Sequence, residues 1–371
     1  MKKLFKSFTA FVTSFVLISS SCVFTVVTEA ASGINVQERT KAEIIDYIDT
    51  HPFDTSASYD EQPNYKTAPY SAGKLSDSTL QSALNALNIV RYIAGIDEVS
   101  LSDNYNDLAQ TGALVDAVNG QLSHMPSQPA DMSDELYNKG YEGTSSSNLG
   151  WGYYSPTDAV LYGWIRDEDN YNIDRVGHRR WCLNPSMKQT GFGMVSDFTA
   201  MYAFDNTFGY TENYGVCWPA QTMPVEFFDK RDPWSISMGN SVNASAVKVT
   251  LKRKKDSQKW VFSNSSADGY FNVNNEYYGQ QGCIIFRPDN ITYAAGDSFD
   301  VTIEGLSSPV SYTVDFIDLE AEESITISDI RAAADFLVKK SFDTEKIRDM
   351  NNDNKINVFD LLILKKRFIK S

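Results

Sequence analysis

The sequence has 371 residues, of which 42% are hydrophobic and 13% aromatic, enough apolar material for more than one buried core. Its formal net charge of -15 argues against nucleic acid as a partner, because phosphate binding requires a basic face. We therefore expect an acidic protein of two or three domains.

The first 30 residues have the pattern of a secretory signal peptide. Basic residues precede an apolar centre, and Thr28 and Ala30 occupy the small-residue positions before a cut after Ala30. The alternative is a permanent membrane anchor, since the apolar run is long enough, but three serines at positions 19–21 interrupt it. No later stretch approaches transmembrane length. We expect cleavage of residues 1–30 and a secreted, extracellular mature protein without a stable membrane span.

The cysteine count limits disulfide formation. Cleavage would remove Cys22 and leave an odd number, Cys182, Cys217 and Cys283, so at most one internal disulfide can form. Cys182 and Cys217 are candidates for a pair. Buried free thiols are an equally good interpretation, because Cys behaves as a small apolar residue.

Residues 31–75 are expected to form an extension that begins with a helix in "ERTKAEIIDYIDT" and continues as a loop. From Ser76, apolar residues recur at helical spacing until Gly95, and a second helix is predicted in "NDLAQTGALVDAVNG". A third helix is predicted at "SPTDAVLYGWIRDED", where Ser155 caps, Pro156 suits the first turn and Asp158 completes a capping-box spacing. The following runs "TGFGMVS" and "FTAMYAFDN" read as strands. This order predicts an α+β domain over residues 76–221.

From residue 222 to 317 the apolar period changes to two. Val247, Val249 and Leu251 alternate with polar residues, and the runs at 299–303 and 312–316 follow the same pattern. Several short alternating strands in fewer than a hundred residues predict a small β-sandwich of the Ig-like class. We expect it to act as a spacer or packing module.

The C-terminus contains a candidate calcium loop, "DMNNDNKINVFD", before an amphipathic helix. Oxygen ligands in an EF-hand loop come from positions 1, 3, 5, 7, 9 and 12. Position 6, where the chain turns sharply, is Asn354, which tolerates positive φ. The six ligand positions are Asp349, Asn351, Asp353, Lys355, Asn357 and Asp360.

The same frame recurs thirty-one residues upstream in "DLEAEESITISD", at Asp318, Glu320, Glu322, Ser324, Thr326 and Asp329. Residues 318–371, with repeats at 318–340 and 349–371, thus resemble the type I dockerin family. The first loop departs further from the pattern, because its Glu side chains are longer and Glu323 stands at the turn. The resemblance implies a small all-α domain holding one or two calcium ions.

The dockerin resemblance also implies a partner, the cohesin domain of a scaffoldin in a cellulosome-like complex. The residues that would select the cohesin in the second repeat are Val358, Phe359, Lys365 and Lys366. Their counterparts in the first repeat are Ile327, Ser328, Ala334 and Asp335, which differ in chemistry, so a single binding mode is expected.

Histidines in "GQLSHMP" and "RVGHRRWCLNP", with "SSNLGWG" between them, give residues 76–220 a resemblance to the CAP superfamily, an α-β-α sandwich also called the SCP or pathogenesis-related fold. The resemblance places His124 and His178 in a central cleft, with Asp167 as an acidic partner and Glu168 adjacent. The family's other acidic position, in a Gly-Glu-Asn-Leu motif, falls on Ser147.

Two interpretations of the cleft remain open. His124, His178 and Asp167 are candidate catalytic residues, and two imidazoles with one carboxylate could hold zinc with an open fourth position, as catalytic zinc sites do. The same histidines are equally suited to structural hydrogen bonds. We expect the protein to carry a ligand-binding CAP domain, for a lipid, peptide or glycan, into an extracellular complex that degrades plant polysaccharides. The alternative is a dockerin-borne hydrolase of glycoside or peptide bonds acting through the cleft.

Overall fold

The computed structural model describes residues 33–205, 214–319, 327–338 and 356–370. The expected signal peptide lies outside the described residues. So do most of the predicted calcium ligands, namely Glu320, Glu322, Ser324, Thr326, Asp349, Asn351, Asp353 and Lys355. Within the described ranges, no helix is long and apolar enough to cross a membrane.

Residues 33–202 contain six of the helices, together with short strands. The helices are α1 (Lys41–Thr50), α2 (Asp77–Ile93), α3 (Asp103–Asn119), α4 (Asp134–Ser145), α5 (Pro156–Asp158) and α6 (Gly177–Cys182). The strands are β1 (Tyr59–Glu61), β2 (Lys74–Leu75), β3 (Ser100–Leu101), β4 (Ser147–Trp151), β5 (Gln189–Thr190), β6 (Phe192–Val195) and β7 (Phe198–Tyr202).

The first three helices follow the signals in the sequence. Thr40 and Glu43 form a capping box at the start of α1, and Ser76 and Ser102 cap α2 and α3. The α3 helix ends at Gly120, whose φ of 62° places it in the left-handed region that glycine tolerates. The predicted helices in this part of the chain are therefore confirmed.

Two features of the predicted third helix are different in the structure. After Ser155 and α5 the chain continues as a π-helical segment, Ala159–Trp164. Ser155 Oγ accepts from Asp158 N at 3.0 Å as expected, but the Asp158 carboxylate accepts from Tyr154 N rather than from Ser155 N. The reciprocal capping box predicted at Asp158 is therefore wrong by one residue. The backbone amide that donates to the Asp158 carboxylate belongs to Tyr154, the residue before the N-cap Ser155.

The sequence reasoning missed α4, which packs closely against α3. A Cβ atom on Gly143 would lie 2.0 Å from Leu108 O, and one on Gly140 would lie 2.3 Å from the Val115 side chain. Glycine at these points allows the two backbones to approach. Because glycine has no side chain, the buried face of α4 lacks the apolar periodicity that predicts a helix from sequence.

A three-stranded antiparallel sheet with the order β4–β7–β6 forms the centre of this region. The α3 helix packs against β6 and β7 through Ala109, beside Leu149 and Ala200. Helices, strands and further helices thus form the layers expected of an α-β-α arrangement. The mixed α and β content predicted from the sequence is confirmed.

Residues 214–319 are built from strands and loops, with one 3₁₀ turn at Val225–Phe227. The strands are β8 (Val216–Trp218), β9 (Thr222–Pro224), β10 (Trp234–Ser237), β11 (Lys248–Arg253), β12 (Lys259–Ser263), β13 (Ser266–Ala267), β14 (Gly269–Asn274), β15 (Cys283–Pro288), β16 (Ser298–Glu304) and β17 (Val310–Ile317).

These strands form two sheets, with the orders β14–β15–β10–β8 and β13–β12–β11–β16–β17–β9. All pairings are antiparallel except that of β9 with β17. The predicted period of two is confirmed in β11, β16 and β17, where the apolar positions are buried and their neighbours are more exposed. The Ig-like class stays a prediction.

Buried arginines of α6 join the helical region to the sheets. Arg179 donates to Ile165 O and Arg166 O on one side and to Pro233 O on the other. Arg180 donates to Asn274 Oδ1 and to the carbonyls of Glu276 and Gln280. A continuous apolar core, which includes Trp164 and Trp218, spans both parts. The helical region and the sheets are therefore packed as one body.

The remaining described helices are α7 (Ile327–Leu337) and α8 (Val358–Lys370), which pack against each other. Their fully buried apolar contact consists of Ala333 and Leu364, and the partly buried residues around it are Ile330, Phe336, Ile356 and Leu361.

Candidate functional site

His178 and Asp167 form a hydrogen-bonded pair where α6 meets the segment after the π-helix. His178 Nδ1 lies 2.8 Å from Asp167 Oδ1, and Asp167 Oδ2 accepts from the Arg179 backbone amide at 3.0 Å. Asp167 is buried and has a φ of 45°, an uncommon backbone conformation for a residue other than glycine. Both carboxylate oxygens are therefore fixed by protein donors, and they orient the imidazole.

The pair sets the proton chemistry of His178. Burial of the ring acts to lower its pKa, but the charge and hydrogen bond of Asp167 outweigh this and hold the pKa above its ordinary value. Because Asp167 accepts from Nδ1, Nε2 is the nitrogen left to exchange a proton or to contact a ligand.

His124 is held by the end of α4. Its Nδ1 lies 2.9 Å from Thr144 O, and because a carbonyl can only accept, Nδ1 carries the proton. Desolvation lowers the pKa of His124, and the nearby charges of His178 and Arg175 lower it further. The ring is therefore held neutral, with the Nε2 lone pair available.

Asp116 of α3 fixes the loop that carries His124. Its two carboxylate oxygens both accept from the Ser123 backbone amide at 3.3 Å. Burial raises the pKa of Asp116 to about 7. The sequence reasoning missed this residue, although a lone Asp between apolar neighbours in "ALVDAVNG" was a visible signal of a buried carboxyl group.

Of the two acidic residues predicted near the histidines, Asp167 contacts a histidine and Glu168 pairs with arginines. Asp167 contacts His178 directly, whereas Glu168 pairs with Arg166 at 3.2 Å and with Arg231 at 3.3 Å. Ser147, at the position of the missing family carboxylate, is buried in β4, and its Oγ has no hydrogen-bond partner in the part of the chain that the structure describes. The next residue, Asn148, donates to the carbonyl of His178.

The comparisons with known proteins agree with this arrangement in part. The family model "CAP: Cysteine-rich secretory protein family" matches residues 84–217. Residues 84–217 form a CAP domain. The CAP resemblance inferred from the histidine motifs is therefore confirmed for this range, which contains His124, Asp167 and His178.

Among solved structures, the chain is similar to an extracellular protein containing a SCP domain from Bacillus anthracis str. Ames. The identity is 20%, the match covers 33% of this chain and 39% of that chain, and the TM-score is 0.26. A comparison with curated proteins found no match.

The atoms that a metal could use in the CAP domain are the two imidazole Nε2 atoms and the Asp167 carboxylate. Each Asp167 oxygen already accepts one hydrogen bond, whereas Nδ1 of each imidazole is the nitrogen held by the protein. Among residues 33–205, 214–319, 327–338 and 356–370, no group of three or more His, Cys, Asp or Glu side chains is placed to hold a metal ion. Zinc at this position stays a prediction.

The three cysteines of the body are buried free thiols. Burial raises the pKa of Cys217 to about 12 and also raises the pKa of Cys182 and Cys283. The alternative of a Cys182–Cys217 disulfide is therefore wrong in this structure, and the cysteines act as small apolar residues.

The described members of the predicted calcium loops lie at helix starts or in ion pairs. Asp329 and Asp360 occupy the first turns of α7 and α8, and Asp360 is fully buried and accepts from Asn357 N at 2.7 Å. Asp318 instead accepts from Lys41 Nζ at 2.6 Å.

Two of the predicted cohesin-contacting side chains are described. Val358 is 54% exposed, and Lys365 is also exposed. The side chains of Phe359 and Lys366 lie outside the described part.

Proposed function

We propose that this protein is exported and works in an extracellular complex that degrades plant polysaccharides, where its terminal helices act as a calcium-dependent dockerin and its CAP domain binds a ligand. The basic and apolar N-terminal pattern supports export. The spacing of oxygen ligands before α8 supports calcium binding. The partner proposed for the helices is a cohesin domain of a scaffoldin.

The observation that carries the docking proposal is the equivalence of the two terminal helices. Asp329 and Asp360, each at position 12 of its loop, both lie in the first turn of an amphipathic helix. The Asp360 carboxylate is buried and accepts from Asn357 N at 2.7 Å, and its place at position 12 of the loop is that of a calcium ligand in an EF-hand frame. The fit of the donor set supports a calcium site at the second loop.

The first loop is the weaker calcium site in this proposal. Its position 1, Asp318, pairs with Lys41, so calcium would have to displace an ammonium group before using this carboxylate. Its other acidic ligands are glutamates, which are one methylene longer than aspartate. We expect one strongly bound and one weakly bound ion.

The proposed ligand site in the CAP domain centres on His124 and His178. Their Nδ1 atoms are held by Thr144 and Asp167, which leaves two Nε2 atoms to contact polar groups of a ligand. The pKa of His124 is lowered and that of His178 is raised, so we assign the two rings different roles. His124 is the neutral acceptor, and His178 is the ring that gains a proton more readily.

A cohesin-capture experiment tests the docking proposal. In the full chain, Asp349→Ala with Asp360→Ala should abolish calcium-dependent capture on an immobilised type I cohesin. The matched pair Asp318→Ala with Asp329→Ala should weaken capture less, because the first loop is the weaker site. Capture that continues in the first double variant, or that persists in excess chelator, would refute a calcium-dependent dockerin.

A hydrolase is the second candidate, and the His178–Asp167 pair is the observation that favours it. An imidazole oriented by a buried carboxylate is suited to general acid–base catalysis. A screen of the full chain on wall polysaccharides and peptides tests this alternative. Activity that is lost in His178→Ala but retained in His51→Ala would support it, and absence of activity on both substrate classes would leave ligand binding as the role of the CAP domain.

A further inference from the structure

We infer that three aromatic side chains beside His178, contributed by both parts of the body, form a stacking surface for a neutral oligosaccharide. This surface, the aromatic corner, consists of Trp181, Phe204 and Tyr277. The inference rests on the proposed ligand-binding role of the CAP domain and names the class of ligand.

The α6 helix places His178 and Trp181 on one accessible face. Residues three apart lie on the same side of a helix, and both side chains are partly exposed. The residues between and after them, Arg179, Arg180 and Cys182, are buried against the rest of the body. A ligand that reaches His178 Nε2 can therefore continue along α6 to the indole ring.

Two more rings stand beside Trp181. The centroid of Phe204 lies 4.6 Å from that of Trp181 with the planes inclined by 38°, and the centroid of Tyr277 lies 6.0 Å away with an angle of 78°. Phe204 is 43% exposed and Tyr277 is 56% exposed. The rings meet at an angle, and each leaves part of its surface to solvent. The three rings thus form a cluster of partly exposed aromatic surface that a ligand can contact.

The loop that carries Tyr277 is fixed in place by the residue next to Trp181. Arg180 donates to the carbonyls of Glu276 and Gln280, which flank Tyr277, and its guanidinium lies 4.9 Å from the centre of the Tyr278 ring. Gly279, with a φ of 74°, packs against Asn184. The sheet region therefore completes the surface and holds it before a ligand arrives, which lowers the entropic cost of binding.

The chemistry of the surroundings favours a neutral sugar. A pyranose ring has an apolar face of C–H groups that can lie on an aromatic ring, while its hydroxyl groups at the edge stay in water or contact polar side chains such as the exposed Glu276. A net charge of -15 opposes an anionic polymer or an anionic membrane. An acyl chain gains most from an enclosure that removes it from water, whereas these rings are open to solvent.

Titration calorimetry of the full chain with cellohexaose and with xylohexaose tests the inference. The wild type should bind at least one of these hexaoses, and Trp181→Ala and Tyr277→Ala should each weaken binding by about tenfold, as expected for the loss of one buried aromatic contact. Trp181→Phe should recover part of the affinity. The matched control is Tyr171→Ala, because Tyr171 is 85% exposed and lies outside the aromatic corner, and it should bind as the wild type does.

Several results would overturn the inference. One is the absence of binding to both hexaoses by the wild type, and another is equal affinity in Trp181→Ala, Tyr277→Ala and Tyr171→Ala. Stronger wild-type binding to phosphatidylcholine vesicles or to an oligolysine peptide, lost in Trp181→Ala, would assign the surface to a lipid or a basic peptide instead. The same variants should still be captured by cohesin. Retained capture without hexaose binding would contradict the oligosaccharide inference and leave the docking proposal in place. If Trp181→Ala does not fold, Tyr277→Ala decides the matter, because Tyr277 is largely exposed.

Discussion

The body of the protein and the described part of its terminal helices differ in how much apolar surface they bury. The body has a continuous apolar core in which Trp164, Trp218 and Trp234 are almost completely buried. The terminal pair, α7 and α8, has a small contact centred on Ala333 and Leu364. Small helical units with little buried apolar surface commonly depend on a bound metal. Under the proposed calcium site, we expect the body to fold without calcium and the terminal pair to need it.

The body also buries a charged side chain, that of Arg179. Arg179 is almost completely buried, and its donors are used by carbonyls from both parts of the body and by Ser235. Desolvation lowers the pKa of this guanidinium, and the charges of Asp232 and Asp167 oppose that effect. A large core can accommodate such a group because each of its three guanidinium nitrogens has an acceptor.

Substitution of Arg179 should give the largest effect on the body. Arg179→Met leaves several buried carbonyls without a donor and removes one of the cations near Asp232, which keeps its ion pair with Arg166. We expect a loss of about 3–5 kcal/mol in the free energy of unfolding. Chemical denaturation of the full chain, followed by tryptophan fluorescence, measures it.

Arg175→Met is the control, because Arg175 is about one-third exposed and pairs with the adjacent Asp174. It should change the unfolding free energy by less than about 1 kcal/mol. Equal losses in the two variants would mean that the junction is not held by the buried arginine.

A pH effect of intermediate size is expected from Asp116. Its folded pKa of about 7 lies above the unfolded value of about 3.9, so the folded state holds the proton more tightly. The stability that this group contributes is fully present below pH 4 and is lost as the pH rises through 7. Asp116→Asn should remove this fall, so the wild type and the variant should differ more at pH 8 than at pH 5.

Denaturation midpoints at the two pH values measure the Asp116 prediction. Asp107→Asn, which changes an exposed carboxylate on the same helix, is the control and should leave the pH dependence of the wild type in place. A pH dependence in Asp116→Asn as steep as that of the wild type would show that the buried carboxyl is not the titrating group.

The smallest effect concerns the His178 ring alone. Asp167→Asn removes the charge that opposes desolvation, so the pKa of His178 should fall. Because the folded pKa is raised in the wild type, the stability from His178 is present below about pH 6.5 and lost above it, and the variant should lack this step.

NMR titration of the imidazole protons measures the His178 pKa. Asp169→Asn changes an exposed carboxylate that contributes less to the same ring, and it should lower the pKa by a smaller amount. An unchanged or higher pKa in Asp167→Asn would contradict the assigned electrostatics.

The sequence was informative where periodicity and caps act locally. It predicted α2, α3 and the alternating strands β11, β16 and β17, because their buried faces repeat at 3.6 or 2 residues. It missed α4, whose contact face uses glycine, and the short α6, whose buried side chains include arginines. A pattern of apolar residues cannot predict a buried arginine whose hydrogen-bond acceptors are carbonyls far away in the sequence.

The candidate site was predictable to the extent that short motifs mark its residues. His124, His178 and Asp167 came from such motifs, and the structure joins the last two directly. The roles of Thr144 and Asp116 depend on how the end of α4 and the loop after α3 fold back, which is a tertiary contact. The aromatic corner was hidden for the same reason, since Trp181, Phe204 and Tyr277 are far apart in sequence.

Hydrogen exchange of the full chain in calcium and in excess chelator tests the central difference between the two regions most directly. We predict that amides of α8, between residues 358 and 370, lose their protection when calcium is removed, whereas amides of α3 and β16 in the body keep theirs. Unchanged protection of α8 in chelator, or an equal loss throughout the body, would contradict the proposal that calcium folds the terminal helices and not the body.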